Sequence, residues 1–248
     1  MLNYNPLIIL GLTTTVLVSA PLAVHAESRV YREIGGKESI RFDPNALTVL
    51  ESLGLSIGES ESTIEPDPGF TYGLALLPPS SDPNVLGTDF QFRYDPETKV
   101  YIPLGEIERF SGRVAFNVDT SKLALPSQRV DFNGFAIDFD SGFNFYVESN
   151  GLRLFDVESS GSPTFDLNTN TWTLQNIDLI ASQEFSDLLV AAGANTPIVG
   201  LKLGEAQGER AFIDVAATQV PEPGSTLAIL TAASAALAVG KRRNRSTL

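Results

Sequence analysis

The chain of 248 residues carries 17 basic and 30 acidic side chains, no cysteine and a single histidine, His25. Disulfides, cysteine-ligated zinc and thiol nucleophiles are excluded outright, and loss of an N-terminal segment containing His25 would remove imidazole catalysis and histidine-ligated metals as well. Residues 27–220 hold 13 bases against 29 acids, a net charge of −16, which repels phosphate backbones and anionic lipid head groups and argues against nucleic acid as a partner.

The first 26 residues contain no Lys, Arg, Asp or Glu. An apolar run from Leu7 to Ala23 leads into Val24-His25-Ala26, where short side chains stand three and one residues before Glu27. That is the geometry a signal peptidase accepts, and it predicts cleavage between Ala26 and Glu27. An uncleaved anchor helix is the rival reading, since the segment before the apolar run has no Lys or Arg. About 190 residues remain between the two ends, enough for one good core.

Few strong strand signals stand before residue 90, and residues 59–69 and 78–84 read as loops. Further on, β signals dominate. Val130 and Phe132 alternate on one parity and Phe135, Ile137 and Phe139 on the other, so Asn133-Gly134 marks a bulge or bend. Phe143, Phe145 and Val147 alternate next. Asn150-Gly151 then predicts a two-residue hairpin returning through Leu152 and Leu154. Thr171 to Leu174 with Ile177 to Ile180 form another strand, and Ile198 to Leu203 with Ala211 to Val215 a late pair. One helix is expected between Ser182 as N-cap and Gly193, with Glu184 in its first turn and Phe185, Leu188, Leu189 and Ala192 on one face. Ser111 to Thr120 and Ser160 to Thr169 share Ser-Gly, Phe and Thr at matching positions, which suits recurring hairpin corners. The expected fold is an all-β, antiparallel two-sheet sandwich closed at one end by one short helix.

The tail has the most specific pattern. Val220-Pro221-Glu222-Pro223-Gly224 precedes an apolar stretch from Ser225 to Gly240, and Lys241, Arg242, Arg243 and Arg245 close it. The two prolines hold the chain extended, the apolar stretch can insert in a bilayer, and the basic cluster stays cytoplasmic. Sixteen residues rise about 24 Å as a helix, short of a hydrocarbon core of about 30 Å, which suits a temporary anchor. This order of parts resembles the PEP-CTERM sorting signal. The resemblance covers residues 220–245 and implies an exosortase that recognises Pro221, Glu222 and Pro223, removes the tail and releases the protein to the surface or matrix. It implies nothing about the middle of the chain.

The organisation expected is therefore a signal peptide at 1–26, a β-sandwich domain at 27–218, and a sorting signal at 219–248 with a transmembrane segment at 225–240. The expected partners are signal peptidase, an exosortase, the inner membrane in transit and, as a candidate, extracellular polysaccharide. No cofactor is expected. Asp166-Leu167-Asn168-Thr169-Asn170 spaces oxygens like half an EF-hand, but Thr171 and Ile177 fill the positions that need Gly and Glu, so a turn is the better reading. Asp138 and Asp140 lie on one strand face beside a turn, and Trp172, Tyr146 and Tyr101 are candidates for stacking on sugar rings. Gly35-Gly36 has no phosphate-binding helix behind it. The function read from these features is a non-catalytic, structural or adhesive surface protein. A carboxylate-dependent glycoside hydrolase and a Ca²⁺-stabilised matrix module are the alternatives.

Overall fold

The computed structural model of the protein describes residues 28–105 and 107–215. Its first element, β1 (Arg29–Phe42), contains most of the logic of the fold. Tyr31 and Glu33 point inward on odd positions, whereas Glu38 and Ile40 point inward on even ones. The parity switches because the register with the last strand, β14 (Lys202–Asp214), slips between Glu33 and Gly35, leaving Ile34 as the extra residue of a bulge. Gly36 follows with φ 147°, and a Cβ there would lie 2.1 Å from the Glu209 carbonyl oxygen, so only glycine lets the two strands stay paired.

The two halves of β1 take different partners on the edge away from β14. The first pairs with β4 (Gln91–Asp95), which continues into β5 (Val100–Gly105); the second pairs with β3 (Tyr72–Ala75). On its other side β14 leads through β13 (Thr171–Ala181), β11 (Leu152–Ser159), β10 (Phe145–Ser149) and β9 (Phe135–Phe139) to β6 (Glu108–Arg109), all antiparallel. The short β12 (Thr164–Asp166) adds to the start of β13.

The sheet then closes on itself. Leu76, one residue past β3, bridges Phe110, one residue past β6. The Leu77 N–H donates to the Arg109 carbonyl at 2.7 Å and the Ser111 N–H to the Ala75 carbonyl at 2.9 Å. The ring β1-β14-β13-β11-β10-β9-β6-β3 has eight strands, about the number at which a closed sheet can hold side chains or one small ligand.

A three-stranded sheet of β2 (Leu55–Ile57), β7 (Arg113–Val118) and β8 (Arg129–Asn133) extends one wall. β7 continues β6 and β8 runs into β9, so 108–118 and 129–139 form one ribbon kinked at Gly112 (φ 106°) and Gly134 (φ 57°). The bend expected at Asn133-Gly134 is there. So is the Asn150-Gly151 hairpin, with φ 53° and 78° at its two central residues.

The antiparallel all-β reading holds, with differences of detail. The two layers are largely opposite walls of one curled sheet, and there are two helices rather than one. The expected one is α2 (Gln183–Ala191): Ser182 accepts from the Phe185 N–H at 3.1 Å, and Phe185 and Leu189 are buried. The other, α1 (Pro44–Leu53), is capped by Asp43, which accepts from the Asn45 and Ala46 N–H groups, and ends at Gly54 in the left-handed region. The late strand pair is a single strand, β14, because Ile198 to Leu201 form a turn before it. Phe143 sits in the β9–β10 turn at φ 61°, not on the strand. The two similar segments occupy different sheets, as β7 and β12, which fits shared corner chemistry rather than a duplicated domain.

Two cores result. An aliphatic and phenylalanine core fills the ring and the space under both helices. A second, aromatic core joins β1, β4, β12, β13 and β14, with Tyr94 stacked on Phe165 at 4.0 Å between ring centres.

Candidate functional site

Where the two cores meet, the inside of the ring carries charge. Arg210 projects inward from β14 on the parity of Phe212 and Ala206 and is 1 % exposed. Its Nε–H donates to Glu108 Oε2 on β6 at 3.1 Å. Its Nη2 group donates to Glu108 Oε2 at 2.6 Å and to Glu38 Oε2 on β1 at 2.8 Å. Its Nη1 group donates to the carbonyls of Lys37 and Glu209 at 2.5 and 3.2 Å. All five donors of the guanidinium are thus engaged. Its Cζ lies over the rings of Phe110 and Trp172, 4.9 and 5.3 Å from their centres. Glu108 reaches Arg210 only because ring closure brings β6, the end of the strand path, back over β1 and β14.

Glu33 completes the cluster. It is fully buried, and its Oε1 accepts from the Trp172 indole N–H at 3.1 Å. Its Oε2 is the one buried side-chain oxygen among the described residues with no hydrogen-bond donor, and it stands 3.9 Å from Arg210 Nε. Burial pushes the Glu33 carboxyl well above the usual range, the Glu108 carboxylate pushes it further, and Arg210 only partly opposes them. A carboxyl raised in this way keeps its proton to higher pH than a free one, and a proton on Oε2 would give the otherwise orphaned oxygen a hydrogen to donate. Burial also raises Glu38 against the pull of Arg210. The Tyr101 phenol is pushed well up by burial and by the Glu33 and Glu108 carboxyls, so it stays protonated.

This cluster forms one wall of a cavity of about 350 Å³ inside the ring. Glu38, Glu108, Arg210, Tyr101 and Trp172 line it on that side, while Phe135, Val147, Leu154 and Leu179 are among its apolar walls. Phe143 of the β9–β10 turn, 56 % exposed, and Ser159, Gly161, Ser162 and Pro163 also line it. Water-filled, it would hold roughly a dozen molecules.

Glu33 yields a prediction with a definite sign. Its folded pKa lies above its unfolded value of about 4.3, so the unfolded chain gives up this proton first as pH rises. Stability is then lost with increasing pH, by up to about 1.4 kcal/mol per pH unit, until the folded pKa is passed. Glu33→Gln keeps an acceptor for Trp172 and a donor for Glu108 without the titration. It should fold, and its urea midpoint should fall less than that of the wild type between pH 5 and 9. Parallel pH profiles for the two proteins would mean that the Glu33 carboxyl is not raised by folding.

The residues picked out by sequence have other roles. Asp166 accepts from the Asn168 and Thr169 N–H groups and closes the β12–β13 turn. Asp140 accepts from the Gly142 and Asn144 N–H groups and from the Asn144 amide, which hold its carboxyl low, and Asp138 accepts from the Tyr146 hydroxyl at 3.1 Å. Among the described residues no group of three or more Asp, Glu or His is arranged to hold a metal. Trp172, Tyr101 and Tyr146 do not form an open stacking face. Trp172 and Tyr101 belong to the aromatic core, and Tyr146 lies under the Arg153 guanidinium at 4.4 Å. Gly35-Gly36 makes the β1 bulge. The cleavage site at Ala26 and Glu27, the motif Val220 to Pro223 and the basic residues Lys241, Arg242, Arg243 and Arg245 lie outside the described residues. Within those residues no helix is long and apolar enough to cross a membrane.

Fold and site together define a β protein whose curled sheet encloses a mainly apolar cavity with a buried ionic wall. No protein-family model, no curated protein and no solved structure matches this chain.

Proposed function

We propose that the chain is an exported, exosortase-sorted protein of the cell surface or extracellular matrix, and that its β domain is a non-catalytic binding module for a small, largely apolar molecule. The sorting half rests on the order of Pro221-Glu222-Pro223, the apolar stretch 225–240 and the basic residues after it. On this reading the protein is held in the inner membrane through that stretch and then released at the surface. The binding half rests on the cavity, whose volume falls in the range of small-molecule sites, whose lining is mostly apolar, and whose charged groups Glu38, Glu108 and Arg210 form one bonded cluster. Polysaccharide fits the tail's implied destination, but its dense hydroxyls would find few partners on these apolar walls and would have to bind outside the ring.

A glycoside hydrolase needs one neutral and one charged carboxyl facing the same substrate space. Here Glu33, whose carboxyl burial pushes well above the usual range, does not line the cavity, and Glu38 and Glu108 hold the same guanidinium nitrogen. That arrangement favours binding over hydrolysis.

Trp172 is the only tryptophan and lines the cavity, so its fluorescence reports on occupancy. Decan-1-ol titrated into the purified chain should give a saturable, one-to-one change. Val157→Phe, which puts a phenyl ring into the cavity wall in place of an isopropyl group, should weaken that binding at least tenfold. A wild-type protein whose tryptophan signal ignores decan-1-ol has no binding cavity of this kind.

A further inference from the structure

The polar wall of the cavity is selective by its chemistry. Every N–H of Arg210 already has a protein acceptor, and the Trp172 N–H is committed to Glu33. An anionic head group would therefore find no guanidinium donor to receive it. The carboxylates are differently placed. Glu38 is 5 % exposed, and the cavity takes what exposure it has. Its Oε2 holds Arg210, while among the described residues its Oε1 accepts no hydrogen bond. The Tyr101 hydroxyl, also on this wall, can accept as well as donate. Arg210 is the one basic side chain lining the cavity, and it faces two acidic ones, Glu38 and Glu108, both bonded to its Nη2. No other ionisable side chain lines the cavity.

We infer that the cavity takes a cationic amphiphile, an apolar body with one protonated amine, whose ammonium donates to the free oxygen of Glu38. The observations that carry this are the place of Glu38 on the cavity wall, with one carboxyl oxygen bonded to Arg210 and the other accepting no hydrogen bond, and the complete engagement of Arg210. Size agrees: at about 30 Å³ for each water-sized group, the cavity holds roughly a dozen non-hydrogen atoms. The inference rests on the binding role proposed above and names the head group that role requires.

Three probes with the same ten-carbon chain separate the cases: decylamine, decan-1-ol and decanoate. Each is titrated into the purified full chain at pH 7, below its aggregation concentration, and followed by Trp172 fluorescence. A hydrogen bond to a charged partner in a buried site is worth about a ten- to hundredfold in affinity. Decylamine should therefore bind at least tenfold more tightly than decan-1-ol, and decanoate more weakly than either. Glu38→Gln should bring decylamine down to the affinity of decan-1-ol, with the thermal melt confirming a folded protein. Should that variant fail to fold, the ranking of the three probes on the wild type decides alone. Decanoate binding as tightly as decylamine, or an amine preference that survives Glu38→Gln, overturns the inference. If decan-1-ol binds and decylamine binds no better, the cavity stands and only the head-group assignment falls. If no probe moves the fluorescence, both fall together.

Discussion

Arg210→Met should destabilise the domain by about 3–5 kcal/mol, the cost of breaking a buried ion pair from one side. Methionine replaces most of the stem's volume and can fill an irregular gap, so the loss is electrostatic rather than a cavity effect. Glu38 and Glu108 would each be left in the interior without a counter-charge, the carbonyls of Lys37 and Glu209 would lose the Arg210 donor, and nothing cationic would lie over the rings of Phe110 and Trp172. A domain of this size has a total stability of about 5–15 kcal/mol, so the variant should be marginally folded or unfolded at room temperature. Arg210→Lys should be only partly better, because an ammonium cannot supply five donors in one plane. The triple change Arg210→Met, Glu38→Gln, Glu108→Gln should recover much of the loss, since the two carboxyls that would be left without Arg210 are then amides. Urea unfolding followed by far-ultraviolet circular dichroism checks all three. A single Arg210→Met protein within 1 kcal/mol of wild type would mean that the cluster is hydrated and that Arg210 does not organise it.

The same cluster explains what could and could not be read from the chain. Strands whose inward positions are apolar were legible: β9 as Phe135, Ile137 and Phe139, and the β10–β11 hairpin from Asn150-Gly151. So was α2, whose cap, acidic first turn and apolar face all agree. β1 was not legible, although it is the longest strand. Its inward positions include Glu33 and Glu38, and the bulge at Ile34 breaks the alternation on which a period-two reading depends. Buried charge runs against the rule that hides apolar residues inside, and its compensation comes from Arg210, 177 residues after Glu33 and 172 after Glu38 in the sequence. Local pattern has no access to that. Ring closure was hidden for the same reason, because the Leu76–Phe110 bridge joins segments with no periodic signal of their own. Two signals did exist. Asp43-Pro44 with Gly54 frames α1 by its caps, and Arg210 stands on the inward parity of β14 between Gly208 and Phe212. Trp172 was noticed for its ring, but its place beside Arg210 and Glu33 turned a candidate sugar platform into part of a buried wall.

The proposed sorting role has the sharpest all-or-none test. Replacing Pro221, Glu222 and Pro223 together with Ala removes the recognition element and leaves the apolar stretch 225–240 and its basic stop to insert as before. In the native host that protein should remain in the inner membrane at the mass of the signal-cleaved chain with its tail, while wild type is recovered outside the membrane without it. Replacing Lys241, Arg242, Arg243 and Arg245 should give a different defect. Those charges prevent a stretch shorter than the bilayer core from sliding through, so this variant should escape uncleaved or be degraded, not accumulate in the membrane. Fractionation with intact-mass measurement distinguishes the two outcomes. The β domain is a built-in control, because its cavity and ionic wall lie wholly within residues 28–215. Both variants should therefore show the wild-type response of Trp172 to decan-1-ol. If the triple-Ala protein is trimmed and released like wild type, the Pro-Glu-Pro match is accidental, and the tail is a plain anchor or the substrate of another protease.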